Sequence, residues 1–283
     1  MGKSFNRLIA AITGIFTVFI SCVLISTRER GCEIGYVTAE SAIVLKFANN
    51  RVLYSKNVDF SIPPASTTKL MTAVIVLENT DLEKFVPVSS NAANKEASKL
   101  WLKPKVKYKI KDLLAACLMS SANDATAVLA EAISGSEEEF VKLMNKKAKA
   151  IGMKNTCFAN STGLPSKGLK QYSNVYDLSQ LMRYALAKPL ISDLLKTKEK
   201  YISGSDGRKL RLLNHNKMLW RRPGYIIGKT GYTIKSRHCF VGTAASDEAK
   251  IIFAVLSSKK PWQDLTILVN YGLYHFSRKF KSG

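Results

Sequence analysis

Two serines and two lysines in this chain sit where proton chemistry could be done. The segment "PPASTTKLMTA", residues 63–73, places Lys69 three positions after Ser66, where two prolines give way to an apolar run. On a helix, residues i and i+3 share a face, so the Ser66 hydroxyl and the Lys69 ammonium can meet. A serine hydroxyl is a weak nucleophile until a base takes its proton, and a lysine becomes that base when its surroundings lower its pKa. The run "LMTAVIVL" would supply the desolvation. Alone, S-x-x-K reads equally well as a capping serine followed by a lysine that snorkels to solvent. Two further groups keep it company. Ser121-Ala122-Asn123 offers a hydroxyl and an amide at a break between helical stretches, where plain capping is the ordinary reading. Lys229-Thr230-Gly231, in "GYIIGKTGYT", precedes the strand-like "HCFVGTAA". There Lys229 and Thr230 offer a cation and a donor, and Gly231 would let a substrate approach an edge strand closely; an ordinary strand end is the alternative.

The elements that must position these groups are legible in outline. "SAIVLKFANNRVLYSKN", 41–57, reads as two short strands around Ala48-Asn49-Asn50. A helix from about Ala65 to Glu78 follows Pro63 and Pro64. "KDLLAACLMSSANDATAVLAEAISG" reads as two helices with a polar break at residues 120–123, ending before Gly135. Ser136 and Glu139 form a capping box for the next helix, which stops near Gly152. "NVYDLSQLMRYAL" is helical, "HCFVGTAAS" and "AKIIFAVLSS" are strand-like, and "DLTILVNYGLYHF" is a closing amphipathic helix. Strands at both ends with helices between them predict an α+β fold with one sheet built from distant segments.

Composition narrows the function classes. The chain has 283 residues, 46% of them hydrophobic, enough for one large domain or two small ones. Lys and Arg number 43 against 21 Asp and Glu, a net charge of +22. So basic a balance suits a polyanionic partner or an anionic surface, and equally a merely solvated basic exterior. The lysines spread along the chain without a nucleic-acid-binding motif. The five cysteines (Cys22, Cys32, Cys117, Cys157, Cys239) show no C-x-x-C, and no H-E-x-x-H occurs, so neither a zinc site nor a dense disulfide framework is indicated. Lys3 and Arg7 precede an uncharged apolar stretch at 8–26, close to the ~20 residues that span a bilayer. A signal anchor and a cleaved export signal both fit residues 1–30, and either puts residues 31–283 to work outside the cytoplasm, at the outer face of the membrane or in the periplasm.

S-x-x-K, S-x-N and K-T-G in this order resemble the serine set of penicillin-binding proteins and serine β-lactamases. "PPASTTKLMTA", "MSSANDATAVLAE", "GMKNTCFANSTGL" and "GKTGYT" are similar to the low-molecular-mass D-alanyl-D-alanine carboxypeptidases, serine peptidase family S11, over about residues 35–275. The resemblance implies a β-lactamase/transpeptidase-like fold, with an antiparallel five-stranded sheet flanked by helices and a mostly helical lobe carrying Ser121 and Asn123. It implies that the C-terminal β-domain of many relatives is missing here, leaving the N-terminal segment to hold the membrane. Its substrate would be the pentapeptide stem of peptidoglycan, with β-lactam antibiotics as covalent inhibitors and no metal or organic cofactor. Ser66 would attack the carbonyl between two D-alanines, with Lys69 as base. Ser121, held by Lys229, would pass a proton to the leaving nitrogen, and Asn123 would orient Lys69 and the substrate amide. Lys229 and Thr230 would receive the terminal carboxylate beside Gly231, and the backbone N–H groups of Ser66 and Tyr232 would form the oxyanion hole.

Three departures bear on this. Relatives commonly read K-T-G-x-T-x-x-A-G, where this chain has Ser236-Arg237, and Gln171 stands where many have His. Where an arginine is expected near the closing helix, the chain offers Lys259-Lys260-Pro261. Arg237 would then supply the carboxylate contact, helped by His215 across the cleft, unless it is a solvent-exposed turn residue. The rivals are a β-lactamase, a non-catalytic wall-binding protein and a basic nucleic-acid binder. The first needs a deacylating Glu in an E-x-x-x-N loop, which residues 158–171 lack. A non-catalytic module has little reason to keep all five polar groups, and the third conflicts with export.

Overall fold

The computed structural model describes residues 34–278, except 167, 222–224 and 248. The apolar stretch at 8–26 and the boundary near residue 30 lie outside the described residues. No helix among the described residues is long and apolar enough to cross a membrane.

Five strands form one antiparallel sheet: β1 (Ser41–Lys46), β2 (Val52–Lys56), β7 (Ile226–Thr233), β8 (Arg237–Ala245) and β9 (Lys250–Ser258), in the order β2-β1-β9-β8-β7. The expected hairpins are present, and the N-terminal pair joins the C-terminal strands through β1 against β9. Every residue from Ile251 to Ser258 is buried, which requires cover on both faces. Alternation does the sorting. Ile43, Leu45, Ile252 and Ala254 belong to the large core shared with the helical lobe. Val44 and Ile251 face the closing helix, α9 (Pro261–Arg278), where Gly272 lets them approach: a Cβ there would sit 2.7 Å from Val44 and 2.8 Å from Ile251. Gly228 and Gly242 are direct cross-strand partners, and the Phe240 ring fills the space their missing side chains leave.

The lobe is built around α1 (Lys69–Asn79), whose residues Lys69–Val76 are all buried, as an all-round apolar helix must be. It packs on α3 (Ile110–Met119) and α4 (Asn123–Ser134), the pair broken at residues 120–122. The Ser136 hydroxyl caps α5 (Glu137–Ala150) by accepting from Glu139 N–H, and Gly152 follows at φ +80°. The short α2 (Ser90–Ala93) completes the lobe's edge, and α6 (Val175–Leu186) covers β9 from the lobe side. Two two-stranded sheets, β3 (Phe85–Pro87) with β4 (Lys107–Lys109) and β5 (Glu199–Ser203) with β6 (Lys209–Leu213), have no counterpart in the expected elements. Nor do α7 (Pro189–Lys196) and α8 (Lys217–Arg221).

Candidate active site

The helix expected from Ala65 begins differently. Residues Ala65–Thr68 form a 3₁₀ turn with Ala65 at φ +50°, and Lys69 is the first residue of α1. A non-glycine residue held in the left-handed region costs free energy and persists only where its surroundings impose it. Two glycines do so here. A Cβ on Gly163 would lie 1.9 Å from Ala65 O, and one on Gly231 would lie 3.0 Å from Ser66 N. The K-T-G glycine therefore admits the serine's own turn against strand β7. Gly231 also lines the cleft, where a substrate would approach the strand.

Within this clamp Lys69 is fully buried and its three donors are all engaged. Nζ lies 2.9 Å from Ser66 Oγ, 2.6 Å from Asn123 Oδ1 and 2.7 Å from Thr162 O. Among the described residues no carboxylate bonds to it. Burial, and secondly the charge of Lys229, pull its pKa from 10.5 to about 7. Lys229 is also buried; it donates to Ser121 Oγ at 2.9 Å and to Thr230 O at 3.0 Å, and burial lowers its pKa to about 8. Ser121 occupies the break between α3 and α4 at φ +55°, a second strained residue in the site. Asn123 opens α4; its carbonyl accepts from Lys69, and one of its two amide N–H groups donates to Glu96 O at 2.9 Å.

A cleft of about 350 Å³ opens above the two ammonium groups, lined by Ser66, Ser121, Asn123 and the β7 run Thr230 to Thr233. Tyr232 is 58% exposed, its ring against His238 at 4.7 Å. His215 lines the cleft, but burial and the charges of Lys229 and Lys69 push its pKa down to about 4, so it stays neutral and brings no positive charge. Arg237 is not brought to the cleft. It stands 47% exposed at the start of β8, with Nη1 on Glu40 Oε1 at 3.2 Å and φ +51°. Of the two readings weighed for it, the geometry matches the exposed turn residue: its backbone is left-handed and its guanidinium is engaged with Glu40. Cys239 borders the cleft, yet burial raises its thiol to about 12, which leaves it inert as a nucleophile. Among the described residues no cluster of His, Cys, Asp or Glu could hold a metal ion.

Sequence reasoning missed the loop that supplies the third Lys69 partner. Asn160 Oδ1 accepts from Thr162 N, Thr162 Oγ1 and Gly163 N, which shapes the turn. Gln171 clasps it by donating to Leu164 O at 3.1 Å and accepting from Ala159 N at 3.4 Å. Glu137 holds the adjacent Ser161 through its N–H and hydroxyl, and pairs with Lys95 at 2.7 Å. Burial raises the Glu137 pKa, but the bonds from Lys95 and Ser161 outweigh it and hold the group ionised. "FANSTGL" carried a signal only in its Asn-Ser-Thr-Gly turn chemistry; a backbone carbonyl leaves none.

Sheet, helical lobe and cleft define a protein of the β-lactamase/transpeptidase type. The chain belongs to peptidase family S11, D-alanyl-D-alanine carboxypeptidase, whose profile matches residues 27–260. It is 37% identical over 238 residues to D-alanyl-D-alanine carboxypeptidase DacF of Bacillus subtilis, covering 82% of this chain and 60% of that protein's length. A D-alanyl-D-alanine endopeptidase of Pseudomonas aeruginosa is 32% identical over 261 residues, 89% of this chain and 83% of that protein. The crystal structure of a D-alanyl-D-alanine carboxypeptidase from Mycobacterium tuberculosis superposes with a TM-score of 0.80 at 29% identity, covering 85% of this chain and 92% of that one.

Proposed function

We propose that this chain is a penicillin-sensitive serine D-alanyl-D-alanine carboxypeptidase acting on peptidoglycan pentapeptide stems. One observation carries the reading: a fully buried lysine with a pKa near 7 beside a serine hydroxyl. As a neutral amine Lys69 has two N–H bonds, and Asn123 Oδ1 and Thr162 O can take both. Its lone pair is then directed at Ser66, which is what a general base requires. Ser66 Oγ attacks the carbonyl between the D-alanines and its proton passes to Lys69. The oxyanion gathers on the N–H groups of Ser66 and Tyr232, preorganised donors that carry the largest share of such catalysis. As the C–N bond breaks, Ser121, polarised by Lys229, relays the proton held by Lys69 to the departing D-alanine nitrogen, which returns Lys69 to the neutral amine. Lys69 next deprotonates a water that releases the acyl group from Ser66. Lys229 and Thr230 meet the terminal carboxylate. We further propose that the domain works outside the cytoplasm, with residues 8–26 acting as anchor or cleaved export signal.

A β-lactamase lacks support in the geometry, because Glu137, the acid beside the 160–164 loop, is committed to Lys95 and Ser161. Fluorescent penicillin with intact-mass analysis tests the proposal. A persistent adduct, its loss in Ser66→Ala, and conversion of pentapeptide to tetrapeptide are expected; an adduct that survives in Ser66→Ala overturns the nucleophile. A cross-linked dimer is assayed alongside, since one relative is named an endopeptidase.

A further inference from the structure

The cleft does not end at Thr233. A second groove of about 460 Å³ shares Gly163 and Thr233 with it and continues past the end of β7, a volume suited to a small ligand. Its walls are apolar, formed by Pro63 and Pro165 with Leu169, which is 64% exposed, and Tyr172, 37% exposed. Among the described residues Lys170 and Lys235 are the charged side chains that line it, and no acid does. Among the described residues neither lysine has an ion-pair partner. The walls are fixed: Ile62 and Ser173 pair as a bridge, and Gln171 is tied to Leu164 O.

Charge sets the direction in which a peptide lies here. The buried ammonium of Lys229 beside Thr230 draws the C-terminal carboxylate to that end of β7. The residues upstream of the scissile bond must then leave the other way, past Tyr232 and Thr233. β7 is the outermost strand of its sheet, so its free edge can hold an extended chain in that course. We infer that this groove receives the residue preceding the D-alanine pair and selects a long side chain that ends in a carboxylate. The methylenes lie on Leu169 and the prolines, and the carboxylate meets Lys235 and Lys170. An ammonium at the same reach would meet like charge.

The inference rests on the proposed carboxypeptidase reading, and the test separates the two. Two isosteric substrates are used, Nα-acetyl-L-lysyl-D-alanyl-D-alanine and its L-2-aminopimelyl counterpart, in which a terminal carboxylate replaces the ammonium. The expected result is a kcat/KM at least about fivefold higher for the carboxylate peptide, the scale of a solvent-exposed ion pair, shrinking as salt is added. In the Lys170→Gln/Lys235→Gln variant the ratio should approach one, and Lys235→Glu should reverse it. A ratio near one in the parent protein, or one unmoved by the double substitution, overturns the inference. If that flat ratio accompanies a stable penicilloyl adduct, the carboxypeptidase reading stands and the groove alone is misassigned. Absence of both adduct and D-alanine release removes both.

Discussion

Ser66 and Lys69 illustrate how little of a catalytic pair resides in its spacing. The separation brings the two groups together, but burial turns an ammonium into a base, and the nearby charge of Lys229 assists. The sign of the pH dependence follows. Proposed acylation requires Lys69 neutral and Lys229 charged, so the rate should rise through about pH 7 and fall above about pH 8, read from penicillin acylation kinetics. Replacing Lys229 by Met removes a cation that depresses Lys69, so the acid limb should move upward as well as the rate falling. A downward movement or none would show that Lys229 does not set the base. Ser66, Lys69, Ser121, Asn123 and Lys229 were legible because each is a side chain within a dense local pattern. Thr162 was not, since its contribution is a carbonyl. Arg237 left two readings open because charge is visible in a sequence and backbone conformation is not.

At the scale of the element, Arg237 becomes intelligible as a turn residue. It opens β8 at φ +51°, which costs a non-glycine residue roughly 1–2 kcal/mol, while its exposed pair with Glu40 returns at most about 1 kcal/mol. Arg237→Gly should therefore raise stability by about 0.5–1 kcal/mol, whereas Arg237→Ala keeps the strain, loses the pair and should lower it. Urea midpoints of the two variants decide this, and equal shifts would refute it. Glu78 at the end of α1 accepts from Lys147 of α5, from Tyr184 of α6 and from Lys188, the residue preceding α7. Burial opposes its ionisation, but the bonds from Lys147, Lys188 and Tyr184 together draw its pKa to about 2. Glu78→Gln should cost about 1–3 kcal/mol, the value of charged hydrogen bonds, measured by the same denaturation. Elements with strong apolar periodicity were read correctly. The β3–β4 pair was not, because "KPKVKYKIK" alternates lysine with apolar residues in a register that resembles a solvated basic run, and its pairing with "FVP" is nonlocal.

At the scale of the whole molecule four strongly depressed groups act in one direction, while burial raises Asp112, Asp177 and the Cys239 thiol. Glu78 is depressed from 4.5 to about 2, His215 from 6.5 to about 4, and Lys69 and Lys229 from 10.5 to about 7 and 8. In each window these four groups bind more protons in the unfolded chain, so their contribution to stability rises with pH, opposed by Asp112 and Asp177 in the carboxylate range and by Cys239 above its ordinary value of 9. The carboxylate contribution is lost as pH falls from 4.5 towards 2, the imidazole's penalty appears below 6.5, and the lysine penalties are relieved above 7. Relief of self-repulsion in a chain of net charge +22 has the same sign. Denaturation midpoints at pH 4, 6 and 8.5 should increase in that order; a maximum on the acid side would contradict the assignment of these groups.

The turn bearing Ser66 is pressed from one side by Gly163 and from the other by Gly231, residues far apart in the chain and on different elements. The nucleophile's geometry is thus a property of the finished fold, and the N-terminal helix alone cannot hold it. Reactivity towards penicillin consequently reports the completion of tertiary structure. During refolding, capacity for labelling should emerge with the last cooperative phase, after helical circular dichroism has recovered. A chain broken between the lobe and β7 should regain labelling only when both fragments are mixed.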